Sequence, residues 1–132
     1  MNEMNLSRLF FLHGLVTFLA GLVLIAVPSA IPSAVDIAIQ KDSYLICYLL
    51  GAAEVAIAFL SFAASRFTDL KSLRLIIYTM IVFHAGTSAV ELLAIQQGES
   101  SKLWVNVVIR IVVIFLFLYY GRNTPQSRLG KK

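Results

Sequence analysis

Four runs of about twenty apolar residues, separated only by short polar breaks, constrain this chain more than any other feature. They lie at Leu9–Val27, Tyr44–Ala64, Leu73–Ile95 and Leu103–Tyr120. A helix rises about 1.5 Å per residue, so about twenty residues match the ~30 Å hydrocarbon thickness of a bilayer. Composition agrees: 59% of the 132 residues are hydrophobic and 14% charged, whereas soluble domains carry about 25% charged residues. A secreted module, an ordinary cytosolic enzyme and a disordered tail are all excluded. Short connections make consecutive helices antiparallel neighbours. The expected fold is all-α, an integral membrane antiparallel four-helix bundle over residues 1–121, followed by a basic tail at 122–132.

The breaks carry the local signals. Pro28 and Pro32 halt the first span, Ser33-Ala34-Val35-Asp36 reads as a capping box opening a short interfacial turn, and Asp42-Ser43 starts the second span. The first apolar run exceeds the usual ~7–15 residues of a signal-peptide core. It also carries His13 and Thr17, for which a disposable leader has no use, so it reads as a span. Basic residues assign the sides. Arg8, Arg66, Lys71, Arg74, Arg122, Arg128, Lys131 and Lys132 fall on one side, and only Lys41 and Lys102 on the other. The positive-inside rule then places both termini in the cytoplasm, with the chain in a plasma membrane of the bacterial inner-membrane type. Tyr44, Tyr48 and Trp104 fit the outer interface, and Tyr78, Tyr119 and Tyr120 the inner one. The net charge of +4 is topological, and nucleic acid is not an expected partner. With one cysteine, Cys47, no internal disulfide forms.

Ionisable residues inside the spans are His13, Glu54, His84, Glu91 and Arg110. At a helix centre Arg or Asp costs about 2.5–3.5 kcal/mol on insertion scales, so these groups should meet. Counted from the outer helix ends, Glu91 lies about 6 Å deep, Arg110 about 10 Å, Glu54 about 15 Å and His84 about 16 Å. Arg110, placed between the carboxylates in depth, can serve both with its five-donor fork. Periodicity agrees. Cys47, Gly51, Glu54, Ala58, Ser61 and Ser65 share one face of the second span, and His84, Thr87, Ser88 and Glu91 one face of the third. Asn106 and Arg110 stand one turn apart in the fourth. His13, Gly14, Thr17 and Gly21 form the corresponding stripe of the first, so the bundle axis should be polar.

His13 is expected about 5 Å deeper than His84, a mismatch that speaks against both ligating one haem iron. Neither a metal nor a cofactor is expected. A faint echo links His13-Gly14-x-x-Thr17 to His84-Ala85-x-x-Ser88; duplicated hairpins would produce it, and so would chance. Phosphate loops, His-Glu-x-x-His, Cys-x-x-Cys and Gly-x-Ser-x-Gly are absent from the sequence, so no catalytic residue is assigned and the balance leans away from an enzyme.

In layout, with Gly14 and Gly21 in a first helix ended by Pro28 and with short loops, the chain resembles the small four-span bacterial membrane proteins called DoxX-like. The resemblance implies the four-span fold and carries over no site residues. Small multidrug transporters place an essential acid in the first helix, where this chain has none. Membrane glutathione-using enzymes of the leukotriene-synthase type carry an Arg, Asn and Glu cluster that Gly51–Ser65 does not match.

The expected function is a small polytopic membrane protein whose outward-half pocket binds or moves a small molecule or ion, with proton coupling as one form. Glu54, His84, Glu91, Arg110, Asn106, Thr87 and Ser88 are its ligand or proton site. Arg110 would anchor an anion, the two Glu would be counter-charges or proton carriers, and His84 the proton acceptor. The alternative is a non-catalytic subunit or assembly factor whose buried charges are interhelical glue. Besides the bilayer, its partners would be that ligand and, through lipid-facing helix surfaces, another copy or another membrane subunit.

Overall fold

The computed structural model describes residues 6–123. Its elements are α1 (Leu6–Ala26), α2 (Ala30–Ala34), a 3-10 turn at Lys41–Ser43, α3 (Tyr44–Ala64), α4 (Leu70–Gln96) and α5 (Leu103–Arg122). No strand occurs among the described residues. α1, α3, α4 and α5 are each long and apolar enough to cross a membrane, with mean hydropathy between 1.5 and 2.4. A helix covers each stretch expected to span, and no end moves by more than about three residues, within the usual blur of helix boundaries. Of the basic tail expected at 122–132, Arg122 closes α5, and residues 124–132 lie outside the described residues.

The termini of α4 have identifiable causes. Asp69, in extended conformation, accepts hydrogen bonds from the Lys71 and Ser72 amides at 3.3 and 2.8 Å, a regular N-cap. At the other end Gly98 takes φ 96°. The Glu99 amide donates to Ala94 O, and the Gly98 amide to Ile95 O. This is a Schellman termination, for which a glycine without Cβ is suited.

Two local expectations need correction. Ser33 does not open a turn as a capping box: it lies within α2, its carbonyl accepts from the Asp36 amide at 3.1 Å, and Asp36 is left-handed at φ 58°. Aspartate tolerates that conformation because its short side chain bonds locally. Pro32 does not halt the first helix. It sits in the first turn of α2, where a missing N–H breaks no helical bond.

The helices pack as two antiparallel pairs. In α1 and α3, Ser7 lies opposite Ser65 and Gly21 opposite Gly51. A Cβ added to Gly21 would stand 2.8 Å from Gly51 O, and one on Gly51 would stand 2.8 Å from Gly21 O. The backbones approach so closely that only glycine fits at this crossing. In α4 and α5, Gly121 lies against Ile77 and Arg110 meets Glu91. The pairs join through an apolar cluster at the end where α1 and α4 begin and α3 and α5 finish. Leu9, Phe10, Ala64, Ile77, Met80 and Phe117 are among its members. Phe10 and Phe117 are fully buried, with ring centroids 5.1 Å apart. Outward faces carry large exposed apolar side chains, including Phe59, Val82 and Ile46. Such a surface suits lipid rather than water.

Candidate functional site: a polar chain joining the helix pairs

Directly beyond the apolar cluster, α1 delivers His13, α3 Ser61, α4 His84 and Glu91, and α5 Arg110. These five side chains form one hydrogen-bonded line. Ser61 Oγ lies 2.9 Å from His13 Nδ1, and His13 Nε2 lies 2.9 Å from His84 Nε2. Arg110 Nη1 approaches His84 Nδ1 at 3.5 Å, the longest link. Arg110 Nε then donates to both Glu91 oxygens, at 3.3 and 3.2 Å. Ser61, His13 and His84 are buried, while the Arg110 and Glu91 side chains keep 23% and 15% exposure. The line thus runs from a closed interior to a partly open end.

Hydrogen-bond logic assigns the protons. A guanidinium only donates, so His84 Nδ1 accepts and His84 carries its proton on Nε2. That N–H donates to His13 Nε2. His13 in turn carries its proton on Nδ1 and donates it to Ser61 Oγ. Every link is satisfied with both imidazoles neutral, and all donors point from Arg110 toward Ser61. Aromatic edges wall the rings: Phe117 stands 5.4 Å from His13 and Phe83 5.3 Å from His84, centroid to centroid.

Three of the seven residues expected at the site, His84, Glu91 and Arg110, are in this line. Ser88 stands one turn from His84 on the same face of α4 and is buried, yet its hydroxyl has no hydrogen-bond partner among the described residues. Thr87 turns back on its own helix, donating toward Phe83 O at 2.9 Å and His84 O at 3.1 Å, and so takes no part. Asn106 is half-buried on α5, outside the line. Glu54 is also half-buried. It lies within electrostatic reach of Arg110, but the guanidinium makes its direct ion pair with Glu91. Of the two carboxylates within the reach expected of Arg110, Glu91 makes the direct contact and Glu54 feels the charge from farther away.

His13 and Ser61 complete the line although neither was among the expected site residues. The expected 5 Å depth mismatch came from the assumed helix ends. With α1 ending at Ala26 and α4 at Gln96, His13 lies thirteen residues from its outer end and His84 twelve, a difference of about 1.5 Å. Two signals in the sequence could have found the pair: the His13/His84 echo, and the place of Ser61 on the small-residue stripe. Among the described residues no group of three or more His, Cys, Asp or Glu converges as a metal site, and the Arg110 charge beside His84 disfavours a cation there.

Comparison of the chain with protein-family models, with curated proteins and with solved structures finds no significant match.

Proposed function

We propose that this protein is a membrane-embedded antiparallel four-helix bundle of the DoxX-like layout, with both termini cytoplasmic, whose polar line binds or moves a small molecule or ion together with a proton. One observation carries this reading: a buried histidine-to-histidine hydrogen bond across the two helix pairs, next to an unpartnered Ser88 hydroxyl. Buried polar groups normally find partners, and an orphaned one asks for an explanation. Ionisable groups within spans default to function. The His84–His13–Ser61 stretch, whose members both donate and accept, is also an arrangement along which a proton can relay, with the donor-only Arg110 at its end. The partly exposed Arg110–Glu91 end supplies a charged entrance for a polar ligand.

Mass spectrometry of small molecules copurifying in mild detergent tests it. The wild type should carry a compound that His84→Gln and Ser88→Ala lose while both variants stay folded and inserted. Equal loading of wild type and variants would sink the reading. Topology is tested separately in a Cys47→Ser background: cysteine at Ser127 should label only from the cytoplasm, and cysteine at Ser100 only from outside. Labelling of both from one side would remove the even-span arrangement.

A second reading, a non-catalytic subunit with structural charges, is favoured by the Arg110–Glu91 pair, which is complete without any ligand. It predicts that stability falls first in His84→Gln and that every other effect follows from unfolding.

A further inference from the structure

A groove lies at the terminal end of the α1/α3 pair, its Ser65 one helical turn beyond Ser61 of the polar line. It encloses about 360 Å³ and is lined by Ser7, Arg8, Phe11, Leu12, Ser65 and Arg66. The Ser7 hydroxyl donates to Ser65 O at 2.6 Å. Arg8 and Arg66 each follow one of these serines, so this bond fixes the two arginine-bearing segments side by side. Ser65 is itself held, its hydroxyl donating to Phe62 O at 2.7 Å. Tight packing at Gly14, where an added Cβ would meet the Phe62 ring at 2.9 Å, keeps the helices from sliding. The polar rim is thus cationic. The floor is apolar, because Phe11 and Leu12 are about half exposed on the outer face of α1.

We infer that this groove binds an anionic glycerophospholipid, its phosphate between Arg8 and Arg66 and an acyl chain along Phe11 and Leu12. The inference rests on the membrane topology proposed above, which puts the groove in the cytoplasmic leaflet, where basic pockets between spans meet anionic headgroups. Charge complementarity selects an anion, and arginine's planar fork suits phosphate oxygens. The apolar floor selects a lipid over free phosphate, which has no use for Phe11 or Leu12.

The test uses the full chain reconstituted in phosphatidylcholine nanodiscs, with phosphatidylglycerol titrated in and bound lipid counted by native mass spectrometry. Arg8→Gln or Arg66→Gln should weaken phosphatidylglycerol retention about fivefold, and the double variant about twenty-five-fold. Arg122→Gln, at the same membrane side but outside the groove, should change it little. Ser7→Ala, which keeps both charges and loosens their spacing, should fall between. Circular dichroism checks that each variant stays helical, and inorganic phosphate should not displace the lipid. Equal loss in Arg122→Gln would mean diffuse surface attraction and would overturn the inference, as would displacement by phosphate. A chain that reconstitutes normally without any phosphatidylglycerol preference refutes the groove alone. A chain that fails to enter the bilayer refutes the topology and the groove together.

Discussion

The two halves of the molecule are held together by different means. Where α1 and α4 begin, Phe10, Met80, Ile77 and Phe117 close an apolar contact between the helix pairs. Beyond it the pairs meet through polar atoms, from Ser61 to Glu91. Apolar packing is non-directional and tolerates only shape errors, whereas the polar line demands one proton arrangement. The contrast sets a contact held by shape in the first half against one held by hydrogen-bond order in the second.

The largest effect should come from breaking the anchor. Phe117→Ala should cost about 3–5 kcal/mol through lost contacts and a residual cavity, read by denaturant titration in micelles. A cost below about 1 kcal/mol would mean that the apolar half does not hold the pairs together. Next, Arg110→Met should destabilise by about 2–4 kcal/mol because Glu91 is left partly buried and unpaired, and adding Glu91→Met should restore most of that. A double variant no better than the single would dissolve the pair. Gly21→Ala, which presses a methyl onto the Gly51 carbonyl, should cost about 1–3 kcal/mol by overpacking. Normal stability there would show that the α1/α3 crossing can open. Asn106→Ala, outside the line, should stay within about 0.5 kcal/mol.

The smallest effect concerns pH. Hydrogen bonds from the Ser72 hydroxyl and amide, and then from the Lys71 amide, hold the Asp69 carboxyl below its ordinary value. Because the folded value is depressed, the stabilisation is present above the ordinary aspartate range and is lost as pH falls through the folded value. Amide-exchange protection at Lys71 and Ser72 should therefore fade below the ordinary range and stay flat near neutrality. Asp69 is fully exposed, so solvent keeps the consequence local.

The four helices were legible because length and hydropathy are properties of the chain itself. The stripes were legible too: Gly51, Ala58 and Ser61 on α3 and His13, Gly14, Thr17 and Gly21 on α1 are buried where periodicity placed them. Which polar residues touch was less legible, because contact depends on where each helix stops. A two-residue change in the relative ends of α1 and α4 turns the expected depth mismatch of His13 and His84 into the observed contact. The sequence left Glu91 and Glu54 both open as partners of Arg110; the direct one is Glu91, nineteen positions back across one short loop. Thr87 misled because a threonine on a polar face can satisfy itself on its own backbone.

The contact between His13 and His84 spans 71 positions of chain, and that between His13 and Ser61 spans 48. At roughly 5–20 residues per second of synthesis, α1 exists for roughly 4–14 s before the residue that completes its histidine has been made. α3 is made within that interval and before α4, so any pairing of α1 with α3 at Gly21 and Gly51 before α4 exists can give His13 only its Ser61 partner. The first pair is then an unfinished half that displays an unmet hydrogen-bonding atom beside Phe10. The late-made α4 and α5 bring the imidazole and the phenyl ring that cover both. The site is therefore complete only when residues from both helix pairs have met.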